Sequence, residues 1–251
     1  MPDLTDFPWL IALVLALALY VQTITGFAFS LLFLGFTGLL GLLPIPVAAN
    51  AATLISLIQT FFHFRHERPV EEWKLIRPAV VAAAPGVVLG AALLQWLGDG
   101  QRFTLQILLG VVIVAAAFLL LLEIRQRTTL SGRGAYRIAG LLSGAMGGLL
   151  ATPGPPIVYL LYREPLPIPT IRHALFLMFG MLQAIRLGYV LITGQLEMPS
   201  VACAALSIPL AYLVTRAARR YPVPLGPAAI KRLAAALLIA TGAGLVISAL
   251  R

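Results

Sequence analysis

The chain alternates long apolar runs with short charged breaks. The runs span about 8–43, 44–62, 74–97, 103–124, 135–162, 168–194, 198–215 and 229–250. Most are near the roughly 20 residues that an α-helix needs to cross the hydrocarbon core of a bilayer. Two differ. Run 8–43 holds about 36 residues and is interrupted by Thr23, Thr25 and Gly26; run 135–162 is interrupted by Thr152-Pro153-Gly154-Pro155-Pro156. Proline removes a backbone donor and clashes with the preceding turn, so no regular helix passes through the second break. Both segments are predicted to be broken helices or helical hairpins.

Composition sharpens this picture. Of 251 residues, 60% are hydrophobic and 11% charged, with a mean hydropathy of +0.96. Soluble domains average roughly 45–50% apolar and about 25% charged. So little charge cannot cover a water-exposed surface, which excludes a soluble globular protein and predicts an all-α polytopic membrane protein. Cys203 is the one cysteine and cannot form an internal bridge. The net charge of +9 does not point to nucleic acid, because the 18 basic residues fall in short clusters between the apolar runs. The first residues are acidic (Asp3, Asp6) with no basic segment before the first run, so no cleaved signal peptide is expected.

The clusters also select a topology. If both broken segments return to the side from which they enter, the basic residues at 65–77, 125–137, 163, 172 and 216–232 share one face, which is 15 of 18. Arg102 and Arg251 fall on the other face and Arg186 lies within a span. If each broken segment crosses once, the cluster at 216–232 lands opposite the first two. The hairpin arrangement obeys the positive-inside rule, with the N-terminus outside and the protein in a cell (plasma or inner) membrane.

A short repeat agrees. Leu43-Pro44-Ile45-Pro46 recurs as Leu166-Pro167-Ile168-Pro169, 123 residues later, each time after a broken segment and before a long apolar helix. Each half then reads as a hairpin plus three spans, about eight membrane segments in all. An odd number of spans inverts the second half, the organisation of many secondary transporters. The expected division is a first repeat over 1–124, a cytoplasmic linker over 125–134 and a second repeat over 135–251.

The stretch Gly140-Leu-Leu-Ser-Gly144-Ala-Met-Gly147-Gly148, followed by Thr152-Pro153-Gly154-Pro155-Pro156, resembles the second-half signature of the TauE/SafE sulfite exporter family. Gln22-Thr-Ile-Thr25-Gly26-Phe27-Ala28-Phe29 resembles its first-half counterpart, departing at Ala28, where a glycine is usual. The resemblance implies a transporter of sulfite, organosulfonates or related small organic acids. A homodimer would suit such a family, and no cofactor is implied.

The residues themselves favour an anion. No carboxylate falls deep in an apolar run: Asp3, Asp6, Glu67, Glu71, Glu72, Asp99, Glu164 and Glu197 read as tail or loop residues, and Glu123 as the end of a span. Cation transporters usually carry an intramembrane acid. Arg186 does lie deep, roughly 12 Å from the outer end of its run at 1.5 Å per residue. Its planar fork suits carboxylate or sulfonate oxygens, so it is the candidate counter-charge. Half-helices beginning near Thr25-Gly26 and at Thr152, Gly154 and Pro155 would present N–H groups and a positive dipole end. Gln22, Asn50, Thr53 and Gln183 are candidate polar contacts, although interhelical hydrogen bonding explains any one of them equally well. His173 reads as a mouth-lining residue, and His63 and His66 as solvated loop residues. Three scattered histidines and one cysteine make no metal site. The glycines at 140, 144, 147 and 148, with Gly86, Gly90 and Gly242, read as close helix packing.

Two competing functions remain at this stage. An anion channel could use the same parts. An intramembrane enzyme would need a serine and a histidine that meet, and Ser143 and His173 are the nearest candidates.

Overall fold

The computed structural model describes residues 8–25, 28–65, 70–98, 101–121, 125–220 and 227–250. Within them the regular structure is α-helical: α1 (Pro8–Thr25), α2 (Phe29–Leu39), α3 (Ile45–Phe64), α4 (Val70–Gly98), α5 (Arg102–Leu121), α6 (Arg133–Leu150), α7 (Gly154–Arg163), α8 (Ile168–Ile192), α9 (Met198–Arg220) and α10 (Pro227–Leu250). Four helices among the described residues are long and apolar enough to cross a membrane: Ile45–Phe64, Trp73–Leu97, Ile168–Ile192 and Arg232–Leu250.

Both long runs break, the second where the sequence predicts and the first slightly later. In the second, Ala151 turns into the left-handed region at φ 52°, and α7 starts at Gly154 with prolines in its first turn. In the first, α1 continues through Thr25 and the second half-helix starts later than expected, at Phe29, after Ala28 at φ 82°. Gly26 and Phe27 lie outside the described residues. With 11 and 10 residues, α2 and α7 are about 15 Å long, half a hydrocarbon core.

The α6–α7 segment is a hairpin. The Arg127 N–H donates to the Arg163 carbonyl at 2.7 Å, and the Ser131 N–H to Glu164 Oε2 at 2.9 Å. The entry and exit of the segment therefore lie side by side. Glu164 lies in the loop that follows α7, as the sequence predicts. It caps the C-terminus of α7, is fully buried and ties α7 to the chain leading into α6. At the other end of the pair, Ser143 Oγ accepts the Ile157 N–H at 3.0 Å, one of the donors that the α7 N-terminus cannot satisfy internally.

Small residues set the closest helix pairs. Gly140, Gly144 and Gly148 of α6 lie on the backbone of Ala79, Ala83 and Val87 of α4, in the same order, so the two helices run parallel. A Cβ at any of these glycines would collide with a carbonyl oxygen of α4. Gly86 and Gly90 of α4 face Leu141 and Ala145 of α6 in the same way. Such backbone-to-backbone packing replaces the hydrophobic drive that is absent between helices in lipid. Gly242 of α10 packs on Gly110 and Val114 of α5, and Gly110 faces Val246, so this pair is antiparallel.

The central pair, α3 and α8, is also antiparallel. Thr60 lies at Phe176 (3.5 Å), Thr53 at Gln183 (3.3 Å) and Asn50 at Arg186 (3.0 Å). Neighbour relations recur between the halves as well: α1 packs on α9 as α6 does on α4, α3 on α9 as α8 on α4, and α2 on α10 as α7 on α5.

Candidate functional site

The two helix breaks meet in the interior. A small cavity between them, about 20 Å³ of water-accessible space, is lined by Gln22 of α1, Ala28 to Leu31 of α2, Ser56 of α3, Thr152 to Gly154 at the second break, and Phe179 and Gln183 of α8. Ser56 and Phe179 are near the middle of their helices, which places the cavity at mid-depth. No carboxylate lines it among the described residues. Its volume admits about one water.

The helix starts make unequal contributions. In α2, the N–H groups of Phe29, Ser30 and Leu31 have no acceptor within their own helix, because the first helical bond runs from Leu32 N–H to the Ala28 carbonyl. In α7, Pro155 and Pro156 carry no N–H, and that of Ile157 is taken by Ser143. Gly154 is left as the donor there, so the two breaks offer different numbers of N–H groups. The Thr152 hydroxyl compensates. It is 1% exposed, lies at the cavity and has no hydrogen-bond partner among the described residues.

Arg186 stands behind this cavity rather than on its wall. The side chain is 1% exposed, and its guanidinium is enclosed by neutral acceptors. Nε donates to the Gly148 carbonyl at 3.0 Å; Nη1 donates to Thr53 Oγ1 at 2.6 Å, Asn50 Oδ1 at 3.0 Å and the Ala49 carbonyl at 3.3 Å. Gly148 is in the last turn of α6, where carbonyls lose their helical donors, so the break in α6 supplies one of these acceptors. Dipoles of this kind solvate a cation without neutralising it. A net positive charge therefore persists in a low-dielectric interior, where its field is strong.

Gln183 connects charge to cavity. Its Nε2 donates to the Ala151 carbonyl at 2.9 Å. The Thr53 hydroxyl proton is shared between the Ala49 carbonyl at 2.9 Å and Gln183 Oε1 at 3.3 Å. The path runs from the cavity through Gln183 and Thr53 to Arg186, and thence to Asn50, whose amide donates to the Gln195 carbonyl at 2.9 Å.

Of the sequence-predicted residues, Gln22, Thr152, Gly154 and Gln183 therefore line the cavity; Asn50, Thr53 and Arg186 form the layer behind it. Pro155 is buried in the first turn of α7 but is not on the cavity wall. Thr25 ends α1, and its side chain, like Gly26, lies outside the described residues. Sequence reasoning missed Ser30 and Phe179. The signal for Ser30 was available, since it is the polar residue next after the first break.

Two histidine readings change. His63 is in α3, not in a loop; its ring stacks on Phe176 at 4.1 Å and meets His173 edge-on at 5.0 Å. His66 lies outside the described residues. Ser143 is fully buried and serves the α7 donor, far along the chain and the helix from His173.

The chain matches the model of the sulfite exporter TauE/SafE family over residues 10–245. It is 31% identical over 231 residues to a protein of Cupriavidus necator described as a probable sulfite/organosulfonate exporter TauE, an alignment covering 92% of this chain and 90% of that one. No solved structure matches it.

Proposed function

The chain belongs to the TauE/SafE sulfite exporter family of multi-pass membrane transporters, and from that premise we propose that it carries a sulfur oxyanion or small organosulfonate across the cell membrane. The observation that carries the reading is the cavity between the two breaks. It combines the N-terminus of α2, the Gly154 N–H and a Thr152 hydroxyl with no partner among the described residues; it has no acid on its wall among those residues, and it lies in front of the Arg186 charge. Helix N-termini favour negative charge, and a guanidinium solvated only by dipoles adds to that field. In this reading Gln22, Thr152, Gly154 and Gln183 face the anion, and Thr25 and Gly26 are added as contacts from their place in the sequence alone. Pro155 presets the turn of α7, and Asn50, Thr53 and Arg186 hold the charge behind.

The mechanism is alternating access between two inverted repeats, 1–124 and 135–251, joined by a cytoplasmic linker at 125–134, with about eight membrane segments. Three features support the inversion. The repeat of 123 residues also separates Ala28 from Ala151, the two non-glycine residues with positive φ among those described, and separates the starts of α3 and α8. The corresponding helices α3 and α8 run antiparallel where they meet, as do α5 and α10. The neighbour relations of the two halves also mirror each other. A cavity with room for one water favours an occluding carrier over an open channel. The anion would be admitted when one half rocks against the other.

The test is flux into proteoliposomes holding the purified chain, with sulfite, sulfate, thiosulfate, small sulfonates and small carboxylates. Saturable uptake of a sulfur anion supports the proposal. Single-channel current would replace the carrier with a channel, and uptake of carboxylates alone would replace the substrate class.

A further inference from the structure

Two basic residues from each of the first two clusters meet on the surface. The parallel packing of α4 and α6 brings their first turns together, and a groove of about 910 Å³ opens between them. Lys74 and Arg77 line it from α4, and Arg133 and Arg137 from α6. Trp73 and Val81 complete the wall, and Val81 is 65% exposed. None of the four cations donates to a carboxylate among the described residues.

This placement is electrostatically unfavourable in two ways. The residues of each pair are one helical turn apart, where like charges repel. Arg133 also opens α6, where the helix dipole favours anions. The positive-inside rule accounts for cations on this face, but not for four of them converging on one groove. A bound anion would relieve both terms, and guanidinium forks fit a phosphate diester. The groove is also amphipathic: Trp73 has the indole that partitions to the headgroup level, and Val81 continues the wall into the apolar zone. A soluble anion would leave that apolar wall unused. The groove shares no residue with the mid-depth cavity.

We propose that this groove is a binding site for the phosphate-bearing headgroup of an anionic membrane lipid, with the acyl chains following α4 into the bilayer. Its volume is within the range of small-molecule sites. Basic pockets between membrane helices on the cytoplasmic side bind such headgroups by the same electrostatics. The site would brace the α4–α6 pair, and so the hairpin that ends at Ala151.

The test uses the full chain in a neutral detergent. Lipid binding is followed by the unfolding midpoint and by native mass spectrometry. Phosphatidylglycerol is compared with phosphatidylcholine of the same acyl chains, and with inorganic phosphate and glycerol 3-phosphate at equal concentration. The expected result is tighter binding of phosphatidylglycerol than of phosphatidylcholine, on the order of tenfold, and no shift from the soluble phosphates. The double variant Arg77→Gln/Arg137→Gln should lose that preference. Arg216→Gln/Arg232→Gln, which removes the same charge at exposed positions elsewhere, should keep it. If the groove variant fails to fold, the single variants Lys74→Gln and Arg137→Gln serve instead, each with a weakened preference. A shift from soluble phosphate equal to that of the lipid overturns the proposal. So does an unchanged preference in the groove variants, an equal loss in the control, or no lipid preference in the wild type. Flux through the mid-depth cavity is read separately, so failure of this site leaves the transport reading standing.

Discussion

Arg186 Nε donates to the carbonyl of Gly148 at 3.0 Å, and the same glycine lies against the backbone of Val87. One residue in the last turn of α6 thus accepts from the buried cation and lets α4 approach. The guanidinium reaches Gly148 on one side and Ala49, Asn50 and Thr53 on the other, a span that the single ammonium of lysine cannot reproduce. Arg186→Gln is expected to strand several buried acceptors and to lower stability by roughly 2–4 kcal/mol, with flux falling below a tenth. Arg186→Lys should recover only part of either. An unchanged unfolding midpoint in Arg186→Gln would show that the network does not hold the fold.

Thr152 separates binding from stability. Its hydroxyl has no partner among the described residues, so Thr152→Val removes a polar group that their packing does not use. The unfolding midpoint should stay level or rise, while the anion KM increases several-fold; Thr152→Ser should restore it. A fall in stability with unchanged KM would mark the residue as structural.

Ala28 and Ala151 hold left-handed backbone at φ 82° and 52°. That conformation costs an L-residue roughly 1–2 kcal/mol, less whatever glycine loses in chain entropy. Ala28→Gly and Ala151→Gly should each leave stability unchanged or raise it by up to about 1 kcal/mol, whereas valine at either site should lower it. Thermal unfolding of the four variants in one detergent decides this. A glycine that destabilises more than valine would contradict the assigned backbone.

The α4–α6 contact gives a steric contrast. Gly144→Ala places a methyl group in the Ala83 carbonyl and should cost about 1–3 kcal/mol, because backbone must move on both sides. Gly188→Ala meets nothing within 4 Å and should be neutral or stabilising by up to about 1 kcal/mol. Equal midpoints for the two variants would mean that the helices are not in backbone contact.

The all-helical character and the second helix break were legible in the sequence because a membrane enforces simple rules. Apolar runs near 20 residues must be helices, prolines at 153, 155 and 156 must end one, and loop cations report sidedness. Residues 45 and 168 open α3 and α8 as the LPIP repeat implies. The candidate set was legible as a list, since Arg186, Thr152 and Gln183 are polar groups in apolar runs. What each does could not be read there. Whether Arg186 faces a cavity or neutral acceptors depends on where Gly148 and Asn50 come to rest, 38 and 136 residues away along the chain. The burial of Glu164 within its loop leaves no periodic trace, and His63 looked like a loop residue because stacking on Phe176 is a contact between distant helices. Periodicity and charge act locally and leave their mark on each segment. Which polar groups satisfy one another, and which hydroxyl is left facing the cavity, is set by the antiparallel meeting of α3 and α8, which exists only once the chain has packed.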